Sequence, residues 1–199
     1  MKNLSVSLGV VLLLAACGSN NEEQVTKIVD STAVVQEVSE TETLPEKKKP
    51  KSPRMQSTSQ VNGSDVTIDY GSPFVKGRTI WGELVPFNKV WRAGANETTK
   101  LVLSDDMKIA GKEVKAGTYG LLIEPKTEGS WTVILNTAWD YDKHGIWGSN
   151  GYKEENDVVR LEIAPTFVDE LQESLTFSLD EGNLSFAWEY ARFELNIAK

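Results

Sequence analysis

Two stretches of the chain gather the side chains that can do chemistry. The first runs from Gly77 to Thr99 and holds Arg78, Arg92, Asn96 and Glu97, with Trp81 and Trp91 beside them. An arginine presents a planar fork that matches a carboxylate, and its polar neighbours suit sugar hydroxyls. Gly94 and Asn96 both tolerate a positive φ, so Ala93 to Asn96 is expected to turn tightly. Such a turn brings Arg92 and Glu97 together. Two outcomes are open at this point. Either Arg92 pairs with Glu97 while Trp91 fills the core end and Asn96 bonds backbone, or these residues and Arg78 form an open polar pocket.

The second stretch is residues 137–156, twenty residues without period-two alternation. A segment of that length in a compact domain points to function or mobility. It carries Trp139, Tyr141, Trp147 and Tyr152 among Asp140, Asp142, His144, Asn150, Glu154 and Glu155. Aromatic faces beside hydrogen-bonding groups suit a carbohydrate, whose C–H faces stack while its hydroxyls find polar partners. The plainer alternative is a lid that closes one end of the core. Asp140-Tyr141-Asp142-Lys143-His144-Gly145 starts like a calcium loop, but His144 holds the fifth position and Gly151 the twelfth, where a bidentate Glu belongs. His144 by itself reads as an exposed loop residue. No Gly-x-Ser-x-Gly nucleophile context is present. Glu97 with Asp142 or Glu83 would make a carboxylate pair of the kind that flanks a glycosidic bond.

Composition narrows the choices. One Cys and one His exclude an intrachain disulfide, a cysteine-rich zinc site and a multi-His metal site, so neither metal nor cofactor is expected. The net charge of -8 disfavours nucleic acid, whose phosphates an acidic surface repels.

Strands must position both stretches. Val66-Ile68-Tyr70, Leu101-Leu103, Trp131-Val133-Leu135, Val159-Leu161-Ile163, Leu175-Phe177-Leu179 and Leu184-Phe186-Trp188 alternate with polar residues. Ala110-Gly111 and Asp180-Glu181-Gly182-Asn183 read as hairpin turns. Helical periodicity is almost absent; Phe167 to Leu171 is the one candidate helical turn. The expected fold is all-β, a single antiparallel β-sandwich or jelly-roll-like domain over 61–199. All six Trp, five Tyr and six Phe lie between Tyr70 and Phe193, so the earlier residues contribute little to a core.

The N-terminal part has a different purpose. Lys2 and the apolar run Leu4 to Ala16 predict a signal peptide over 1–16, too short to span a bilayer, which needs ~20 residues. Leu14-Ala15-Ala16-Cys17 resembles the lipobox of bacterial lipoproteins. That resemblance implies acylation of Cys17 and a membrane anchor in the cell envelope, on the outer membrane facing the periplasm or the surface. Residues 17–60, aromatic-free and broken by Pro45, Pro50 and Pro53, are expected to be a disordered spacer.

Trp91-Arg92-Ala93-Gly94-Ala95-Asn96-Glu97-Thr98-Thr99 matches a Trp-Arg-x-Gly-Ala-Asn-Glu-x-Thr hallmark. With Ala116 to Tyr119, Trp131 to Asn136 and Asp157 to Arg160, it resembles an uncharacterised bacterial lipoprotein domain family over about 70–199. The resemblance implies the domain and the anchor, and no activity. Three readings follow from the residues. One is an envelope binding module for a ligand or partner, a glycan being the ligand the aromatic loop suits. The second is a polysaccharide hydrolase using Glu97 and a loop carboxylate. The third is a structural subunit that docks an envelope protein. If Cys17 carries the anchor, Cys17→Ala moves the protein from membranes to the soluble fraction; retention in membranes contradicts it.

Overall fold

The computed structural model describes residues 51–199; the expected signal peptide, Cys17 and most of the spacer lie outside the described residues. Two antiparallel sheets form there. The larger has the order β1 (Arg54–Val61), β2 (Ser64–Gly71), β3 (Thr99–Leu103), β6 (Gly117–Glu124), β7 (Trp131–Asn136), β8 (Asp157–Ile163). The smaller has the order β5 (Lys112–Val114), β4 (Met107–Ile109), β10 (Asn183–Ala198), β9 (Thr166–Asp180). The all-β sandwich expected from the alternation is what the chain forms.

The alternating apolar residues make one core between the sheets. Val66, Ile68, Leu101, Leu121, Ile123 and Val133 bury from the larger sheet, and Leu175, Phe177, Leu184, Phe186 and Trp188 from the smaller. Tyr70 meets Phe177 edge-on at 5.2 Å, and its hydroxyl donates to the Phe177 carbonyl at 3.1 Å. One residue therefore adds apolar area and a satisfied polar tip to the inter-sheet contact.

Two boundaries differ from the sequence reading. The domain starts before residue 61, because β1 pairs with β2 from Arg54↔Gly71 to Val61↔Ser64. Asn62 and Gly63 close that hairpin with φ of 50° and 81°, the primed turn that matches strand twist. β1 is an edge strand whose side chains are mostly exposed, so it carries no apolar alternation to read. Phe167 to Leu171 is not a helical turn; it is the first part of β9, with Phe167 opposite Ala191.

The outer face of the larger sheet matters most for function. A single cross-strand row runs Gln56, Asp69, Lys100, Gly120, Asn136, Asp157 through all six strands. Side chains on one face recur every second residue, so Leu122 shares this face with Gly120. Leu122 and its partner Ile134 are almost fully buried although the core lies on the other side. At Gly120 this face is covered by the irregular, chemistry-bearing sequence.

Candidate ligand-binding site

The two irregular stretches meet over Gly120. A Cβ there would stand 2.9 Å from the Trp139 Cβ and 3.1 Å from the Thr98 Cγ2. Only a residue without a side chain lets both approach. Trp139 is held further by its indole N–H, which donates to the Thr118 carbonyl at 3.0 Å. Thr98 donates from its hydroxyl to the Gly148 carbonyl at 2.8 Å. At Gly148, φ is +66°, and a Cβ would lie 2.7 Å from the Arg92 Cδ. The long loop is thus bolted onto the Arg92–Thr98 turn through buried contacts.

That turn is itself clamped. Trp91 exchanges both backbone hydrogen bonds with Ile123 on β6, each 2.8 Å. Ala95 donates to the Gly71 carbonyl at 3.2 Å, and a Cβ on Gly71 would strike the Ala95 carbonyl oxygen at 2.1 Å. The positive φ values fall on Ala93 and Asn96, at 51° and 63°. Gly94 has an ordinary φ; it is small because the Gly71 carbonyl and the Thr99 hydroxyl pack against it.

A polar network fixes the base of the loop. Asn136 is buried, donates to the Lys153 carbonyl and to Asp157, and accepts from the Ala138 N–H. Tyr152 donates to Asp157 at 2.7 Å, and Arg160 donates to both, at 3.0 Å and 2.9 Å. Burial and the Asp157 carboxylate push the Tyr152 phenol well above its ordinary value. Within the loop, Asp140 caps the short helix α1 (Tyr141–His144) and Gly145 ends it.

Between these supports lies a cleft of about 550 Å³. Its lining includes Asn96, Glu97 and Thr98 from the turn, Trp139 to Asp142, Ile146 and Trp147 from the loop, Arg54 and Lys100 from the sheet, and Ser52 just before β1. Tyr141 is 64% exposed and Trp147 46% exposed, and their rings meet edge-on at 6.3 Å. The Lys100 ammonium lies 5.5 Å from the Trp139 ring centre. Asp69 holds both cations in place, with Arg54 Nε at 2.5 Å and Lys100 Nζ at 2.8 Å. Burial opposes the Asp69 charge, but hydrogen bonds and charge from Arg54 and Lys100 outweigh it and hold the carboxyl below its ordinary value. The cleft therefore offers aromatic faces flanked by acceptors and donors.

Most of the expected site residues sort into three places. Asn96, Glu97, Trp139, Tyr141, Asp142 and Trp147 come together in the cleft. Arg78 and Arg92 instead line a second cavity with Asn96. Arg78 also donates from Nε to the Val75 carbonyl at 3.0 Å and from its Nη2 to the Phe74 carbonyl, closing its own loop. Trp91 is core, buried and stacked on Trp188 at 5.5 Å, though it reaches the wall of that second cavity. The pairing of Arg92 with Glu97 does not form; Glu97 faces Arg54 at 3.6 Å. His144 stays outside the cleft, where its Nδ1 accepts from the backbone N–H groups of Trp139 and Asp140, both at 3.1 Å. Glu83 does not line the cleft either. Arg54, Lys100 and Thr98 are cleft residues that the sequence did not single out. Arg54 falls in the segment expected to be spacer, and Lys100 precedes the Leu101-Leu103 alternation with no motif to mark it. Among the described residues, no three His, Cys, Asp or Glu side chains gather to hold a metal ion.

The chain belongs to the family described as protein of unknown function (DUF2911), whose model matches residues 52–197. That match starts two residues before β1, in agreement with the strand pairing. No curated protein and no solved structure matches.

The seat at Gly120 makes a sharp prediction. Alanine normally suits a strand better than glycine by roughly 0.5–1 kcal/mol. Gly120→Ala is nevertheless expected to destabilise by about 1–3 kcal/mol, the usual cost of overpacking. Urea unfolding checks it, and a variant as stable as the parent would show that Trp139 does not sit where described.

Proposed function

We propose that this protein is a lipid-anchored envelope lipoprotein whose domain binds a saccharide in the Trp139–Trp147 cleft. In this reading, Cys17 is acylated and the segment before β1 spaces the domain from the membrane, the outer membrane being the expected address. Two acyl chains anchor stably where one binds reversibly. One observation carries the binding half. Tyr141 and Trp147 remain largely exposed at a cleft that also presents Asn96, Glu97, Asp142 and two cations. Large aromatics left open beside polar groups mark a binding site more often than a packing accident. Their rings stand at 89° to one another, so one ligand can meet a face and an edge.

The hydrolase reading has one supporting observation, that Glu97 and Asp142 line the same cleft. Glycosidase pairs keep one carboxyl in an apolar niche. Glu97 instead has a half-exposed side chain beside Arg54, which favours binding over bond cleavage.

Glycan-array and affinity-electrophoresis measurements test the proposal. Trp147→Ala and Tyr141→Ala each expose no core, so melting should stay within about 0.5 kcal/mol of the parent. Saccharide affinity should fall at least about tenfold, the 1.4 kcal/mol step expected of a central aromatic contact. Trp139 is a poor test, because it also supports the loop. Affinity unchanged in the double variant, or no saccharide bound by the parent, would end this reading.

A further inference from the structure

Next to the aromatic cleft are two smaller concavities. One, of about 280 Å³, is lined by Arg78, Arg92, Asn96 and Trp188 among others. The other, of about 410 Å³, is lined by Lys51, Ser52, Phe74, Lys76 and Arg78. Ser52 lines all three spaces, Asn96 the first two, and Arg78 the last two, so they adjoin. No Asp or Glu lines either of the smaller ones. In a chain of net charge -8, that is a local reversal of sign.

Two side chains that line the 280 Å³ cavity also carry buried N–H groups without partners. The Arg92 Nε is buried and has no acceptor among the described residues, and the same is true of the Trp188 Nε1. Trp188 is 1% exposed. No carboxylate forms an ion pair with Arg92 among the described residues, and burial pulls its guanidinium below its ordinary value. Buried donors are normally satisfied, and an unmet one on a cation is the costliest kind. Loop geometry keeps Arg92 there regardless, since Gly148 packs directly on its stem. The cost is explained if an acceptor arrives with a ligand.

We infer that the Arg78–Arg92 cavity binds an oxyanion carried by the ligand, so that the saccharide of the aromatic cleft is an acidic one. A carboxylate, a sulfate or a phosphate ester each offers several acceptors to an arginine fork. Lys51 and Lys76 extend the positive track for a further charged unit. The oxyanion half stands on the cavity alone; the acidic-saccharide half rests on the binding reading of the cleft.

Nitrogen-15 NMR of the full chain tests both halves. The Arg92 Nε–H and Trp188 Nε1–H signals are assigned from Arg92→Met and Trp188→Phe. Glucuronate, glucose, sulfate and phosphate are then titrated separately. Glucuronate should shift both signals saturably and glucose neither; the sulfate and phosphate arms identify which oxyanion the cavity prefers. Arg92→Met should weaken glucuronate binding at least tenfold without lowering the melting temperature of the ligand-free chain, because it removes a half-buried charge that has no ion-pair partner among the described residues. A melting temperature that falls while affinity holds would make Arg92 structural and overturn the inference. Silence of both signals with all three oxyanions would also overturn it. Glucuronate binding that depends on Trp147 while Arg92 stays silent would keep the cleft and sink this site. Glucuronate that still binds Trp147→Ala at full affinity would keep this site and sink the acidic-saccharide half.

Discussion

The absence of a side chain at Gly120 is the constraint on which the functional face depends. It sits in the middle of the cross-strand row, between Lys100 and Asn136. Trp139 and Thr98 both occupy the space that a Cβ would need. Trp139 belongs to the long loop and Thr98 to the arginine turn, so one missing methyl group lets two distant segments share one seat. The Thr98–Gly148 hydrogen bond and the packing of Gly148 on Arg92 follow from that approach. Without it the loop would have only its base network to hold it.

The scaffold and the site divide the physical work. The sandwich buries regular apolar rows and ties its sheets together at Tyr70 and Phe177. Its outer face then carries Asp69, which holds Lys100 and Arg54 at the cleft. Stability surplus from the core offsets features that are unfavourable in isolation, such as exposed Tyr141 and Trp147 and the unpaired Arg92. Locally unfavourable groups on a rigid frame are the usual mark of a site that awaits a partner.

The strands were readable because burial on one face imposes period two, as at Val66-Ile68-Tyr70 and Leu175-Phe177-Leu179. β1 was not, because an exposed edge strand has no such burial to leave a pattern. The first part of β9 misled for a related reason: Phe167 and Leu171 are exposed there, and their spacing imitates a helical turn. In the site, the loop aromatics and the turn were legible as breaks in alternation. Their convergence was not, since it depends on register across six strands. The cations were harder still. Arg54 and Lys100 enter the cleft only because Asp69 stands between them in space, at 15 and 31 residues' separation in the chain. The Arg92–Glu97 pair failed because Thr98 pulls that turn towards the loop, while β1 delivers Arg54 to Glu97.

A crystal structure of the protein grown with an acidic oligosaccharide tests the central claim most directly, that the two irregular segments form one receptor. Density for a sugar ring against Trp147, with its acid group within hydrogen-bond distance of Arg92, is the predicted result. A sugar bound elsewhere on the sandwich, with this cleft holding only solvent, would contradict it.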